Sequence, residues 1–203
     1  GGRFRRVDLG DVEAVEAAAA DVGPVDGLVL NAGGMPRVRT LTAAGDEVIW
    51  ASQVLGHARL VRVLTSRGCL GPGARVVWVS SGGMYLAGLD LRDLRRERGY
   101  SGPAVYTHAK RAQVVLAAEM ARRWPEVDTA AMHPGWVDTA AVRASMPWFY
   151  AAMRRTLRTP EQGADTVVWL LRRASRWPSG RFWFDRREAP VAVFPWTRGG
   201  DVE

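Results

Sequence analysis

Apolar positions along the chain fall into two rhythms, one continuous and short, the other recurring at three and four residues. The short runs are 25–30, 75–79, 129–132 and 181–184, each rich in Val, Leu, Trp, Phe or Met and each ending on a polar or glycine cluster. Such runs read as strands, and Val25 to Leu30 and Arg75 to Val79 as strands buried on both faces. A further short extended segment closes on Val7-Asp8-Leu9. The helical rhythm occupies 11–22, 43–66, 104–123 and 140–157, with Thr42 as the expected cap of the second. Gly23-Pro24, Gly68, Gly71-Pro72-Gly73 and Trp124-Pro125 stop these runs, and Thr159-Pro160-Glu161-Gln162 opens a last helix with Pro in its first turn, where a missing N–H costs nothing. Strands alternating with helices predict an α/β fold, a doubly wound parallel sheet with helices on both faces, and chemistry beyond the C-terminal ends of the strands. No repeat or linker divides the chain, so 1–203 reads as a single domain.

Composition narrows this further. At 203 residues and 47% apolar, the chain can bury one sizeable core. Its one cysteine, Cys69, allows no internal disulfide and no metal-ligand spacing, which suits a reducing compartment. No stretch approaches the roughly 18 to 20 apolar residues of a membrane span. Gly1-Gly2-Arg3-Phe4-Arg5-Arg6 lacks the apolar core of a signal peptide, and the expectation is a soluble, cytoplasmic protein with no metal. A net charge of +7 raises nucleic acid as a partner. The arginines argue against it: pairs such as Arg122-Arg123 and Arg172-Arg173 are scattered, interleaved with acids, and free of any aromatic ladder.

Among the 28 basic residues Lys110 is the sole lysine. It stands four after Tyr106, which on a helix puts phenol and ammonium on one face. A free tyrosine titrates near pH 10, and a neighbouring cation lowers that value by roughly one to three units, so Tyr106 is expected to act as acid or base near neutrality. Lysine suits the task as a compact point charge, where the arginine fork is planar and diffuse. The spacing alone is weak, since Tyr150 and Arg154 repeat it with arginine.

Four further motifs change the balance. Asn31-Ala32-Gly33 follows the run 25–30, Ser80-Ser81-Gly82-Gly83 follows 75–79, Pro134-Gly135-Trp136-Val137-Asp138-Thr139 follows 129–132, and Asp8 ends the first extended segment. Together with Tyr106 and Lys110, these resemble the short-chain dehydrogenase/reductase family, in family order and across nearly the whole chain. The resemblance implies an NAD(P)-dependent oxidoreductase, with NAD or NADP as cofactor and a small alcohol or carbonyl as substrate. It implies Tyr106 as proton donor and acceptor, Ser81 on the substrate oxygen, and Lys110 both tuning Tyr106 and holding the nicotinamide ribose. Pro134, Gly135, the Val137 backbone and the Thr139 hydroxyl would hold the nicotinamide carboxamide, Asn31, Ala32 and Gly33 would line the cofactor, and Asp8 would lie near the adenine. Family members commonly pair through their two long helices, which implies a homo-oligomer. The 25-residue step from Ser81 to Tyr106 is similar to retinol-dehydrogenase-like members, and the tail from Glu161-Gln162-Gly163 to Gly180-Arg181-Phe182 resembles the dehydrogenase/reductase SDR family member 12 group.

Two departures stand against that pattern. Gln53 occupies the place of the family's catalytic asparagine, and either a water-linked relay one methylene longer or a structural helix residue fits it. The chain also reads as lacking the first two strands and the glycine-rich turn that brings backbone N–H groups to the pyrophosphate. Either it is a fragment, or its first extended segment slides in against the strand at 25–30. A non-catalytic dinucleotide-binding or scaffold protein is the alternative from another class; the sugar-nucleotide epimerase branch shares Tyr-x-x-x-Lys but fits Asn-Ala-Gly poorly. Met146, Trp148, Phe149, Tyr150 and Met153 stand where the family places its substrate lid, and either receive a lipophilic substrate or pack the lid onto the core.

Overall fold

The computed structural model describes residues 2–36, 38–94 and 97–197. Its sheet holds β1 (Gly27–Leu30), β2 (Arg75–Val79), β3 (Asp128–Met132), β4 (Phe182–Phe184) and β5 (Arg187–Glu188), in that spatial order. The first four run parallel, and β5 folds back antiparallel on β4. Alternation along β2 explains the layers. Val76 and Trp78 face a core shared with Val61 and Leu64 of α3 (His57–Ser66) and Val114, Ala117 and Met120 of α4 (Gly102–Arg123). Val77 and Val79 face the other side, where Leu170 of α7 (Pro160–Arg172), Trp177 and Trp183 cover them. Helices thus lie on both faces, as the alternating runs predict.

Several elements follow local chemistry closely. The Asp11 side chain caps α1 (Val12–Ala20) by accepting from Ala14 N at 3.0 Å. Thr159 and Gln162 form a reciprocal capping box at the start of α7. The run 140–157 is split at Met146, because Pro147 opens α6 (Pro147–Met153) just after α5 (Ala140–Ser145).

Three expectations are corrected. Val7-Asp8-Leu9 forms no strand; it crosses a helix, and a side chain at Gly56 would meet Leu9 O at 2.0 Å. β1 is not buried on both faces: Leu30 is buried but Val29 is 39% exposed, because no strand pairs with the far edge of β1 among the described residues. The helix expected from residue 43 begins at α2 (Val48–Trp50) and runs on through a π-helical segment, Ala51–Gly56, into α3. Gly45, at φ +80°, breaks the helical run, so the Thr42 hydroxyl accepts from Asp46 N within a tight turn. Glu47 is the actual cap, accepting from Trp50 N at 2.9 Å. Among the described residues no helix is long and apolar enough to cross a membrane, and no group of three His, Cys, Asp or Glu is placed to hold a metal.

Candidate active site

Three adjacent parallel strands end side by side, so the residues just past β1, β2 and β3 gather along one edge of the sheet, the edge beyond which open α/β sheets bind their ligands. Asn31, Ala32 and Gly33 leave β1 and are exposed there; Ser80 and Ser81 leave β2; His133, Pro134 and Gly135 leave β3. The two serines divide the work. Ser80 is buried and pins the tip of β2 twice, its N–H to Met132 O at 2.7 Å and its Oγ to Lys110 O at 2.7 Å. Ser81 turns the other way, its Oγ accepting from Gly83 N at 3.1 Å and lying near enough to the Tyr106 phenol to lower its pKa. Any side chain at Gly83 would come within 3.2 Å of Thr107 Cγ2 and 3.8 Å of the Tyr106 ring, so glycine keeps this approach open.

One turn along α4, Lys110 lies 5.4 Å from the centre of the Tyr106 ring and donates from Nζ to Val79 O at 3.0 Å. The structure thus brings Tyr106, Lys110 and Ser81 together. The expected electrostatics are not met. Lys110 is only 4% exposed, and burial pushes its amine down to about 7. Burial likewise pushes the Tyr106 phenol up from its ordinary value, with the Ser81 hydrogen bond opposing. A cation that has itself been desolvated does not draw the phenol down, so the predicted lowering is absent.

Gln53, read as either a relay or a structural helix residue, faces the loop after β1. It is 1% exposed in the π-helical segment, and its Nε2 donates to Gly34 O at 2.6 Å while its backbone O accepts from Gln113 Nε2 at 2.8 Å. Its amide therefore braces the loop after β1, and a Cβ at Gly33 would stand 2.6 Å from its Oε1. We expect Gly33→Ala to break the Gln53–Gly34 bond and cost about 1–2 kcal/mol of stability in chemical denaturation. An unchanged unfolding midpoint would show that the amide does not brace the loop. Gln113 Nε2 also lies 3.4 Å from His57 Nδ1, and His57 is held at about 4 by burial and by the Lys110 charge.

The remaining candidates fall into place around this centre. Gly135, at φ +77°, donates to His133 Nδ1 at 3.3 Å. The Thr139 hydroxyl caps α5 by accepting from Val142 N at 3.2 Å, which leaves its own O–H to donate. Val137 bridges in parallel to Arg158. Asp8 is exposed, its Oδ1 closing a turn with Gly10 N at 2.8 Å. Sequence reasoning missed Arg158, whose guanidinium pairs with Asp185 through Nη2 at 2.8 Å, reaches Pro134 O at 3.5 Å and packs on the Phe184 ring at 4.8 Å. No spacing signals it, because its partners come from two distant segments. The end of α5 touches the loop after β1 where Ser145 Oγ donates to Met35 O at 3.1 Å.

No family model matches the chain. Over 167 residues it is 44% identical to dehydrogenase/reductase SDR family member 12 of Bos taurus, covering 81% of this chain and 53% of that protein. Over 222 residues it is 34% identical to a protein of Streptomyces lividans named probable oxidoreductase, covering 97% of this chain and 70% of that one. The chain belongs to the short-chain dehydrogenase/reductase family. It spans about half the length of the bovine member of that family. A gluconate 5-dehydrogenase from Burkholderia cenocepacia J2315, solved with NADP and tartrate, shares the fold at a TM-score of 0.64 with 20% identity, over 87% of this chain and 71% of that one.

Proposed function

We propose that this short-chain dehydrogenase/reductase chain carries the proton-transferring part of an NAD(P)-dependent oxidoreductase that interconverts an alcohol and a carbonyl. The observation that carries the reading is the convergence of three side chains: Ser81 is near enough to the Tyr106 phenol to oppose the rise that burial imposes on it, and the Lys110 amine lies 5.4 Å from the centre of the same ring. The gluconate 5-dehydrogenase that shares the fold was solved with NADP, which supports the cofactor class. The residues present fit the nicotinamide end of such a cofactor. Lys110 commits one of its three donors to Val79 O, which leaves others for ribose hydroxyls, and Thr139 retains a free O–H. Asn31, Ala32 and Gly33 lie exposed at the adjacent strand tip, Gly135 opens the turn that carries the Val137 backbone, and Asp8 is the one candidate for the adenine end.

When bound, the nicotinamide supplies or accepts a hydride; the protein's share is the proton and the position of the oxygen. Tyr106 Oη gives its proton to the carbonyl oxygen in reduction and takes it from the alcohol in oxidation. Ser81 Oγ donates to the same oxygen and holds it beside the phenol. Lys110 fixes the ring's neighbour and the ribose. Gln53 positions the loop after β1 and takes no part in proton transfer.

A lipophilic substrate fits the lid. Trp136 packs on Phe149 at 4.6 Å between ring centres, Trp148 is 76% exposed, and no residue of α6 is buried. These aromatics cover no core, and the long step from Ser81 to Tyr106 is the one that resembles retinol-dehydrogenase-like members. The intact natural protein should oxidise NADPH or NADH in the presence of straight-chain aldehydes, with kcat/KM rising along the series from butanal to decanal. Each added methylene buried on binding contributes about 0.8 kcal/mol. No consumption of either cofactor rejects the reaction, and a flat series rejects the lipophilic substrate alone.

A further inference from the structure

The residue after Lys110 is Arg111, which is fully buried. Lys110 reaches the tip of β2, whereas the Arg111 guanidinium reaches back to the C-terminal segment. Its Nη2 donates to Thr197 O at 2.8 Å, and its Nη1 donates to Val191 O and lies 3.4 Å from Met84 Sδ. Met84 is fully buried in the turn Gly82–Leu86, which Ser81 opens: Met84 N donates to Ser81 O at 3.1 Å and Gly83 N to Ser81 Oγ at 3.1 Å. The next residue, Tyr85, donates its hydroxyl to Pro190 O at 2.8 Å, and its ring meets His133 and Phe182 edge-on. Arg111 and Tyr85 are close enough for the guanidinium charge to oppose the rise that burial imposes on the Tyr85 phenol.

Residues 190–197 contain a single 3-10 turn, Pro195–Thr197, and no strand. Three of their carbonyls, of Pro190, Val191 and Thr197, are held by two side chains. One of these stands four residues after Ser81 and the other one residue after Lys110. Burying a guanidinium is costly unless its donors are used, and a leucine or methionine would fill the same volume without that cost. The five-donor fork is suited to joining several pieces of chain that no ladder joins.

We infer that Arg111 is a positioning residue: together with Tyr85 it clamps the C-terminal segment as a brace behind the Ser81 turn and the Tyr106–Lys110 helix, and so fixes the distance from the serine hydroxyl to the phenol. The inference rests on the reaction proposed above. It concerns how the site is held, and Arg111 touches no reacting atom.

Three variants of the intact natural protein test it, assayed with NADPH and decanal. Arg111→Met keeps the bulk and removes the donors; Arg111→Lys keeps the charge but gathers its donors on one nitrogen in place of the fork; Tyr85→Phe removes only the hydroxyl. Arg111→Met should lower kcat on the order of 10- to 100-fold with KM near the natural value, the size expected for a small misplacement of reacting groups. It should also move the pH limb of kcat that belongs to Tyr106 upward, because a loosened Ser81 no longer offsets burial. Arg111→Lys should recover part of both, and Tyr85→Phe should shift both in the same direction by less. A lower melting temperature with kcat per folded molecule and the limb unchanged would overturn the brace. If Arg111→Met does not fold, an unmoved limb in Arg111→Lys and Tyr85→Phe overturns it equally. Tyr106→Phe in the same assay separates the two readings. Turnover that survives it rejects the reaction and the brace with it; turnover lost there but untouched in the other variants rejects the brace alone.

Discussion

Replacing Tyr106 with Phe in the intact natural protein is expected to lower turnover of decanal by on the order of 10²- to 10⁴-fold, the range that a positioned acid–base group contributes. Binding of NADPH, followed by fluorescence, should be largely retained. Phenylalanine preserves the ring that Lys110 lies against and removes only the hydroxyl shared with Ser81. The loss therefore falls on proton transfer, and kcat should drop far more than KM rises. The pH dependence of the natural protein follows from the direction of the shift. Burial raises Tyr106, so the protonated phenol needed for reduction persists through neutral pH, and reduction falls as pH climbs past that raised value. Oxidation needs the phenolate and should rise over the same interval. Turnover by the Phe variant at the natural rate would remove Tyr106 from the reaction.

What the sequence made legible was whatever depends on neighbours along the chain. Tyr106 and Lys110 share a face because four residues make about one helical turn, and that spacing is visible in the letters. Ser81 was legible because a buried apolar run must end somewhere, and parallel strands end on the side where chemistry gathers. Thr159 and Gln162 spelled their own cap. The parts that stayed hidden depend on tertiary contact. Gln53 could be read from its place in a motif as either a relay or a structural residue, and the bond from its amide to Gly34 O depends on a π-helical segment that no spacing announces. Thr42 looked like a cap, but the buried Glu47 takes that place, also accepting from Tyr100 OH at 3.3 Å across 53 residues of chain. Arg158 and Arg111 are ordinary arginines in an arginine-rich sequence until the fold brings Asp185 to one and the carbonyls of Val191 and Thr197 to the other. Charge was the least legible quantity. The ammonium expected to lower Tyr106 is itself discharged toward neutrality by the packing that makes the site.

That discharge leads to the second large effect. Lys110→Met should abolish turnover and at the same time stabilise the ligand-free protein at pH 7 by about 1–3 kcal/mol, after allowance for the lost bond to Val79 O. The sign follows from proton counts. An unfolded lysine holds its proton up to its ordinary 10.5, whereas folded Lys110 releases it near 7. Between those values the unfolded state binds more protons, so the stability of the natural protein rises with pH across the window. Below about 7 both states are protonated and the native state carries the full cost of a buried ammonium, about 1.4 kcal/mol for each unit of displacement. Methionine has no proton to bind, so its advantage should be greatest at and below neutral pH and fade toward 10.5. Urea denaturation at pH 6, 7.5 and 9 measures this directly. His57 gives a second readout, since removing the Lys110 charge takes away one of the causes holding its imidazole near 4, and its NMR titration should move up. A methionine variant less stable than the natural protein at pH 6, with the pH slope intact, would mean that the amine is not the group being penalised. The residue most needed for the proposed chemistry is then one that the fold holds at a cost, and a lysine was kept there by a chain that uses arginine at every other basic position.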